Sequence, residues 1–257
     1  MYAIDPEHAL VPLFVRPKYS DTLQQVGTGI FIDFQSQPFL FTAAHVTDNL
    51  EQGELLVPVY GGIHPIDGYV GYIDLLPGMS RNEDEVDIAY YRLNTEFARL
   101  MCAHFSPFPQ TRCMLFRSAL ELSVCSVYGY PASRAKRTQG RYRSETATFR
   151  GIAASEEVYN DLNLSPDSSI VIHFHENLAV SPVDGRRINP LSPRGVSGGG
   201  IFSWPAGHEL AVDWSLTTLV GIFHTYKKTE GLLIGTHLIT VFAATQVGKM
   251  NGFGGVV

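Results

Sequence analysis

Three short segments carry side chains that could act together in nucleophilic catalysis. The segments are FTAAHVTDN (41–49) with His45, EVDIAYYRL (85–93) with Asp87, and RGVSGGGIF (194–202) with Ser197. A serine hydroxyl becomes a good nucleophile when a neutral imidazole removes its proton. A carboxylate on the other ring nitrogen would hold the imidazole in the tautomer that this step needs. The three residue types therefore indicate hydrolytic chemistry.

Glycine residues surround Ser197 in the third segment, RGVSGGG. Glycine adopts backbone conformations that other residues avoid, so the chain can turn sharply at the serine. A turn of this kind can aim backbone N–H groups at the oxyanion that forms when a nucleophile attacks a carbonyl group. The segment therefore favours acyl-transfer chemistry, and a flexible loop without a catalytic role is the alternative.

Each of these residues also has a structural interpretation. A histidine after an apolar strand is often structural, and an aspartate before one is often a turn residue. Asp48 lies three residues after His45 and is an alternative carboxylate partner, although its context favours a turn. Asp67 and Asp74 are weaker alternatives. The occurrence of all three types in the order His, Asp, Ser in one β-rich chain favours the catalytic interpretation.

Short apolar or alternating runs, broken by turn residues, make up most of the chain that must position these side chains. Their Val, Ile, Phe, Tyr and Thr content is typical of β-strands. The runs are GTGIFIDF (27–34), FLFTAAHV (39–46), ELLVPVY (54–60), GYVGYIDLL (68–76), DIAYYRL (87–93), LSVCSVYGY (122–130), SSIVIHFHE (168–176), GGIFSW (199–204) and TTLVGIFHTY (217–226). Many short strands between Gly and Pro turns predict a sandwich or barrels. Residues 236–250 predict a C-terminal helix.

Composition excludes several classes of protein. The 257 residues are 45% hydrophobic and 17% charged, which is too apolar for a disordered chain. No apolar run reaches the roughly 20 residues that a membrane-spanning helix needs. The net charge of −6 argues against bulk affinity for nucleic acid or for an anionic membrane surface. A globular protein of one large domain or two small ones remains.

The cysteine pattern and the first residues predict a compartment. Cys102, Cys113 and Cys125 are odd in number, and their spacing resembles neither a disulfide framework nor a zinc site. The segment MYAIDPEHALVPLF lacks the basic start and apolar core of a signal peptide. We therefore expect a reducing, cytoplasmic environment.

The three segments together resemble the trypsin/chymotrypsin family of serine peptidases. TAAHV, DIAYYRL and GVSGGG resemble the family's blocks around the histidine, the aspartate and the serine. Four further segments resemble strands of the family and the start of its terminal helix: GTGIFI (27–32), VYGYP (127–131), TLVGIF (218–223) and THLITVF (236–242). The resemblance covers about residues 25–245.

The resemblance implies an all-β, chymotrypsin-like fold of two packed six-stranded antiparallel barrels with a short C-terminal helix. The chain would be a single peptidase domain. Its expected parts are an N-terminal extension (1–24), an N-terminal barrel (about 25–110), a C-terminal barrel (about 111–235) and the terminal helix (236–250).

The implied activity is that of a serine endopeptidase. Ser197 would attack a peptide carbonyl and form an acyl-enzyme, His45 would act first as base and then as acid, and Asp87 would orient His45. The backbone N–H groups of Gly195 and Ser197 would form the oxyanion hole. No cofactor and no metal are expected.

Two departures from the family bear on activation and specificity. Val196 stands where many secreted members have the acid that receives a new N-terminus, so we infer no activation by that route. Leu191 stands at the expected floor of the primary pocket, which disfavours a Lys or Arg preference and favours a neutral apolar pocket. His224, in GIFHTY, is predicted to bind an acidic or amide side chain of the substrate, and a structural role near the triad is its alternative.

The expected partner is a protein or peptide substrate, without nucleic acid or membrane. A protease inside a cell, which we expect to be bacterial, must be kept from digesting its host. We therefore expect narrow specificity or control by a regulatory protein. The basic residues of the loop 134–143 could bind an acidic partner, and a solvated loop is the alternative.

Other functions remain open from the sequence. His173 and His175 lie two apart and could bind zinc with Glu176 or Asp184, although a polar strand face explains them as well. The protein could also be a protease-like module that binds peptides without turnover. An esterase that uses the same triad is the third possibility.

Overall fold

The computed structural model describes residues 5–19, 22–59, 61–73, 75, 77–138, 141–176, 186, 191–247 and 253–256. The strands of its first half are β1 (Leu10–Pro17), β2 (Gln24–Phe34), β3 (Gln37–Ala43), β4 (Gly53–Val59), β5 (Gly62–Pro65), β6 (Gly68–Ile73), β7 (Ile88–Leu93) and β8 (Phe108–Pro109). Those of its second half are β9 (Val124–Gly129), β10 (Lys136–Thr138), β11 (Arg141–Arg143), β12 (Ala147–Ala153), β13 (Ser169–His173), β14 (Gly200–Ser203), β15 (Thr218–Lys227), β16 (Leu232–His237) and β17 (Phe253–Val256).

Four short α-helices accompany the strands in the described part of the chain. They are α1 (Ala44–Thr47), α2 (Thr95–Met101), α3 (Glu156–Leu162) and α4 (Leu238–Val247). The last of them lies within the range 236–250 for which the sequence predicts a C-terminal helix. Among the described residues, no helix is both long enough and apolar enough to cross a membrane.

The strands of the first half form one sheet together with the C-terminal strand β17. Their order is β17–β6–β7–β3–β2–β1–β4–β5, and β8 lies parallel to β2. Strand β1 lies inside this sheet, antiparallel to β2 on one side and to β4 on the other. Its run LVPLFV is buried throughout, which explains why a central position suits it. The segment 1–24, which the sequence analysis set apart as an extension, therefore contributes a central strand.

The C-terminal strands close into a six-stranded barrel in the order β12–β13–β16–β15–β14–β9. All neighbouring strands in it are antiparallel. Gly235 lies where two strands of the barrel approach each other closely. A Cβ at this position would lie 2.4 Å from Ile222 O, so a larger residue would not fit without a shift of the backbone. Buried apolar side chains of all six strands fill the interior.

The two modules share a hydrophobic core at their junction. Ile30, Phe41 and Tyr90 of the N-terminal sheet belong to the same buried cluster as Phe202 and Ile222 of the barrel. The apolar face of α4 packs into this cluster as well, which ties the C-terminal helix to both modules. Because burial of apolar surface is the main stabilising contribution to folding, this shared core fixes the relative position of the modules.

The predicted all-β fold with two packed modules and a short C-terminal helix is confirmed. One detail differs from the two closed barrels expected, because the N-terminal sheet remains open among the described residues. Strand β17 pairs antiparallel with β6 at one end of the sheet, and β5 lies at the other end.

Candidate active site

His45 and Asp87 meet because their strands are neighbours. Ala43, the last residue of β3, lies opposite Ile88, the first residue of β7. His45 follows in the first turn of α1, and Asp87 immediately precedes β7, so both project from the same edge of the sheet. The Ala44 N–H donates to Asp87 O (3.0 Å), which joins the two backbones at this point.

The Asp87 carboxylate holds His45 with both oxygens. Its Oδ1 accepts from the backbone N–H of His45 (2.9 Å), and its Oδ2 lies 2.6 Å from His45 Nδ1. The carboxylate is buried, whereas the side chain of His45 is 36% exposed. A base needs this combination, because one ring nitrogen is anchored while the rest of the ring faces the open side of the site.

The surroundings of Asp87 favour its charged form. Burial by itself would raise the pKa of this carboxyl group. The side-chain and backbone hydrogen bonds from His45 and the charge interaction with the same ring outweigh burial, so the pKa of Asp87 lies below its usual value. Its backbone has φ = 35°, a conformation that is uncommon for residues other than glycine and that asparagine and aspartate tolerate best. An uncommon backbone conformation held by its surroundings is frequent at functional sites.

Ser197 lies in the turn before β14, at the junction of the modules. Its carbonyl oxygen accepts from the Thr28 N–H of β2 (2.8 Å), so the N-terminal module contacts the serine turn directly. A Cβ on Gly27 would lie 2.7 Å from Val46 Cγ2 and 3.1 Å from Ser197 O. The missing side chain at Gly27 therefore allows helix α1, which carries His45, to lie close to the serine turn.

The Ser197 hydroxyl donates to His224 O (3.0 Å). Among the residues that the structure describes, it makes no hydrogen bond to His45. Hydrogen bonds between catalytic groups are often long or absent in free enzymes and form in the complex with substrate. The structure therefore brings His45 and Asp87 into contact and places Ser197 beside them, with its hydroxyl turned to a backbone acceptor.

Two backbone N–H groups of the serine turn face away from the protein's own acceptors. Arg194 O accepts from Ala132 N (2.9 Å), and Val196 O accepts from Gly199 N (2.8 Å). Since both peptide units are trans, the N–H groups of Gly195 and Ser197 point in the opposite direction from these carbonyls. Neither N–H donates a hydrogen bond within the described part of the chain, so both remain available to an anionic oxygen.

Apolar packing anchors this turn. Val196 is fully buried in the hydrophobic cluster of the C-terminal barrel. Gly195 beside it has φ = 90°, and a Cβ there would lie 2.5 Å from Ala132 N. A buried valine thus occupies the position where the resembling secreted enzymes carry an acid.

His224 lies close to the Asp87 oxygen that contacts His45 Nδ1. Its side chain is only 4% exposed, and its Nδ1 lies 2.8 Å from Thr225 Oγ1 and 3.9 Å from Asp87 Oδ2. No acceptor or donor for its Nε2 is found among the described residues. Burial lowers the pKa of His224 to about 4, although the charge of Asp87 opposes this effect. The ring is therefore neutral near pH 7.

The burial of His224 predicts a pH dependence of stability. An unfolded histidine takes up a proton below about pH 6.5, whereas His224 in the folded protein resists protonation down to about 4. The unfolded state therefore binds more protons over this range, and the free energy of unfolding falls by about 1–3 kcal/mol as pH drops from 7 to 4. Protonation of Asp87 lowers the free energy of unfolding further only at lower pH, because the pKa of this carboxyl group is depressed in the folded protein.

Urea unfolding of wild type and His224→Gln at several pH values tests this dependence. The variant is expected to have a flatter stability profile between pH 7 and 4, whatever its stability at pH 7. His104→Gln, at an exposed position, controls for the loss of a histidine. Parallel profiles for wild type and His224→Gln would contradict the expectation.

The remaining sequence candidates lie elsewhere. Asp48 binds Arg81 through both carboxylate oxygens (3.1 and 3.2 Å). Asp67 accepts from Asn94 Nδ2 (2.6 Å), and Asp74 lies outside the described residues. Leu191 is partly buried and packs against the hydrophobic cluster of the barrel.

The predicted zinc ligands and the basic loop belong to the C-terminal half. His173 ends β13, the Glu176 carboxylate lies 3.6 Å from Lys228 Nζ, and Asp184 lies outside the described residues. Within the described residues, no group of three His, Cys, Asp or Glu side chains could hold a metal ion. The basic loop 134–143 contains the antiparallel strands β10 and β11.

Two threonines of the site escaped the sequence analysis. Thr28 and Thr42 are both fully buried, and Thr42 Oγ1 donates to Thr28 O (2.8 Å). The segment GTGIFI by itself predicts only a strand at Thr28. The available signal was a polar residue between two glycines in an otherwise apolar strand.

Comparison with known proteins assigns the fold. A thermostable serine protease from an extremophilic microorganism matches with a TM-score of 0.51 at 17% identity, over 95% of this chain and 99% of that protein. The tobacco vein mottling virus protease has a TM-score of 0.49 at 13% identity, over 96% of this chain and 84% of the other. The serine protease domain of the Sesbania mosaic virus polyprotein has a TM-score of 0.48 at 15% identity, over 93% of this chain and 91% of the other.

The chain has a chymotrypsin-like fold. The match to the thermostable serine protease, over 95% of this chain, supports this assignment. At these identities the similarity establishes the fold alone. No protein-family model matches the sequence, and no curated protein is significantly similar to it in sequence.

Proposed function

We propose that the protein is a serine endopeptidase that uses His45, Asp87 and Ser197 as its catalytic triad. The observation that carries the proposal is the double engagement of His45 by the buried Asp87 carboxylate, at Nδ1 and at the backbone N–H, beside the serine turn. The unused N–H groups of Gly195 and Ser197 support it, because they provide donors where a nucleophile on Ser197 would generate an oxyanion.

In the proposed reaction, Ser197 Oγ attacks the carbonyl carbon of the scissile peptide bond. His45 Nε2 takes the hydroxyl proton, while Asp87 holds Nδ1–H and stabilises the imidazolium. The N–H groups of Gly195 and Ser197 bind the oxyanion. His45 then protonates the leaving amine, the C–N bond breaks, and water hydrolyses the acyl-enzyme with His45 again as base.

The nucleophile must turn before it can react. The Ser197 hydroxyl, which donates to His224 O, has to rotate about its Cα–Cβ bond towards His45 Nε2. Such rotations between staggered side-chain positions are fast in comparison with typical turnover, so a resting hydroxyl on a backbone acceptor is compatible with catalysis.

The substrate preference remains a proposal from the sequence. We propose a neutral primary pocket with Leu191 at its floor, and cleavage after residues other than Lys and Arg. The burial of His224 beside Asp87 supports its alternative role near the triad more than a contact with substrate. A peptide-library cleavage profile measures this preference, and a profile dominated by Lys or Arg would contradict the neutral pocket.

We also propose action in a reducing, cytoplasmic environment, with narrow specificity or a regulatory protein partner as restraint. The support is that Cys102, Cys113 and Cys125 are all free thiols. This proposal can be tested by comparing the growth of two host cultures, one with wild type and one with Ser197→Ala in the cytoplasm. We expect equal growth. Slower growth with wild type alone would contradict narrow specificity as the safeguard of host proteins.

Labelling with a fluorophosphonate probe tests the proposed function. We expect wild type to be labelled at Ser197, as mapped by peptide mass spectrometry, and Ser197→Ala to be folded but unlabelled. Ser203→Ala, which removes the hydroxyl of a buried serine at the end of β14, is the control and should remain labelled at Ser197. No labelling of folded wild type would favour a binding module.

A second assay separates a peptidase from an esterase. The labelled enzyme should cleave members of a broad peptide library and lose this activity in Ser197→Ala. Hydrolysis of simple esters without any peptide cleavage would contradict an endopeptidase and favour the esterase.

A further inference from the structure

We propose that Thr28 is a positioning residue that holds the anion-binding turn of the active site in its working conformation from across the module junction. This inference rests on the proposed function and extends it to a residue that neither carries nor touches the reacting atoms. The turn belongs to the C-terminal module, whereas Thr28 lies in β2 of the N-terminal module.

Thr28 uses every hydrogen-bonding group it has. Its backbone N–H donates to Ser197 O (2.8 Å), and its Oγ1 donates to Gly195 O (3.2 Å). The same Oγ1 accepts from Tyr130 N (2.9 Å), and its carbonyl oxygen accepts from Thr42 Oγ1 (2.8 Å). One fully buried residue therefore contacts the carbonyl groups of both residues whose N–H groups would bind the oxyanion.

A side-chain hydroxyl satisfies the buried Thr28 carbonyl. Thr42 of β3 supplies this donor. A buried carbonyl without a partner costs free energy, so this side-chain bond stabilises the position of Thr28 itself.

The turn needs an external restraint because it contains glycines. Gly195 has φ = 90°, and a glycine peptide unit can rotate more freely than any other. The hydrogen bond from Ala132 N fixes the peptide unit before Gly195, and the hydroxyl of Thr28 fixes the one after it. With both neighbouring peptide units held, the direction of the Gly195 N–H is determined before substrate binds, which is the condition for electrostatic stabilisation of a transition state.

A threonine side chain suits position 28, between Gly195 O and Tyr130 N. The hydroxyl must donate to Gly195 O and accept from Tyr130 N at the same time, which valine cannot do and serine can. A Cβ on Gly129 would lie 2.9 Å from Thr28 Oγ1 and 3.3 Å from Thr28 Cγ2. The neighbouring chain thus approaches Thr28 closely enough to limit its rotation.

Three variants of Thr28 test the proposal. Thr28→Val keeps the shape and the backbone N–H but removes the hydroxyl, Thr28→Ser keeps the hydroxyl, and Thr28→Ala removes hydroxyl and methyl group. Thr217→Val is the matched control, because Thr217 is as buried and its Oγ1 also donates to a backbone oxygen, that of Trp214 (2.8 Å).

The measured quantities are kcat and KM on a peptide substrate from the library, the rate of fluorophosphonate labelling, and the melting temperature. Loss of one anion-hole donor lowers turnover by about 10²–10³-fold, so a misaligned donor in Thr28→Val is expected to lower kcat by about 10–100-fold. KM should remain within about twofold, because binding of the ground state does not use the oxyanion donors. Thr28→Ser should recover most of the loss, and Thr217→Val should keep wild-type kcat.

Three results would overturn the proposal. One is a folded Thr28→Val with wild-type kcat. Another is an equal loss in Thr28→Ser and Thr28→Val, which would show that the hydroxyl is not responsible. The third is a loss in Thr217→Val as large as that in Thr28→Val, which would show a general effect of stability.

The variants and assays also separate this proposal from the proposed function. Thr28→Ala replaces Thr28→Val if the latter melts below the assay temperature, and the same criteria apply to it. Wild type that labels at Ser197 while Thr28→Val labels equally fast contradicts only the role of Thr28. Wild type that neither labels nor cleaves contradicts the proposed function, and the role of Thr28 with it.

Discussion

Asp87→Asn is expected to lower kcat by about 10⁴-fold, the loss typical of this change in a serine-protease triad, while the protein stays folded. The reason lies in the two bonds to His45. Oδ1 accepts from the His45 backbone N–H, which requires an oxygen at that position. The amide nitrogen of an asparagine would therefore face His45 Nδ1, where it can only donate.

The donated hydrogen bond would reverse the tautomer of His45. With Nδ1 as acceptor, the ring proton would sit on Nε2, and Nε2 could no longer take the proton of Ser197. The backbone should tolerate the change, because asparagine adopts the positive φ of 35° that this position requires. Circular dichroism and melting are therefore expected to show a folded variant.

Asp48→Asn is the matched control for this prediction. Asp48 is also an aspartate near His45 in sequence, but its carboxylate binds Arg81. We expect Asp48→Asn to keep kcat within about twofold, since an exposed ion pair contributes at most about 1 kcal/mol to stability. Turnover of the peptide substrate and fluorophosphonate labelling measure both variants. Full activity in Asp87→Asn, or a large loss in Asp48→Asn, would show that the carboxylate has been misassigned.

The strands of the barrel and the C-terminal helix could be predicted because their signals are local. Runs such as TTLVGIFHTY combine β-branched and aromatic residues with flanking turn residues, which is enough to indicate a strand. The pairing of β17 with β6 could not be predicted, because FGGV (253–256) has no strand pattern of its own and pairs with a strand far away in sequence. Strand β1 is similar, since a proline in LVPLFV argues against a central strand.

The roles of the site residues divide in the same way. His45, Asp87 and Ser197 could be proposed from residue type and neighbouring residues alone. The segments GTG and GIFHTY show polar residues in apolar strands, but the contacts of Thr28 and His224 depend on which strands come together, and the local sequence does not determine this pairing. The sequence suggests His224 for substrate recognition, and its burial beside Asp87 favours the alternative of a structural role near the triad.

The site is a polar network at the junction of two apolar modules. Thr28 and Asp87 come from the N-terminal sheet, Ser197 and His224 from the barrel, and each hydrogen-bonds or closely approaches a group of the other module. Because the buried polar groups must remain paired, the two modules cannot shift relative to each other without a cost in free energy. The precision of the serine turn therefore depends on contacts across the junction as much as on the turn itself.

Gly198→Ala is the most demanding test of that dependence. Gly198 has φ = 88°, and a Cβ there would lie 2.0 Å from Thr28 O and 2.2 Å from Thr42 Oγ1. The carbonyl of Thr28 is backbone and cannot move aside cheaply. Strain at positive φ costs about 1–3 kcal/mol and overpacking about the same, so we expect a loss of about 3 kcal/mol in the free energy of unfolding.

The loss of activity in Gly198→Ala should exceed what its stability explains. Displacing Thr28 O also moves the Thr28 N–H and hydroxyl that hold Ser197 O and Gly195 O, so labelling at Ser197 is expected to slow by at least about 10²-fold, comparable to the loss of an anion-hole donor. Gly78→Ala is the matched control: φ there is also 88°, but nothing lies within 4 Å of the added Cβ. Gly78→Ala has the same backbone strain, but its Cβ contacts no neighbouring atom. We therefore expect it to lose only about 1 kcal/mol in the free energy of unfolding and to be labelled at the wild-type rate. Urea unfolding and labelling of the two variants side by side separate strain from contact, and equal behaviour of the pair would mean that the junction does not constrain the serine turn.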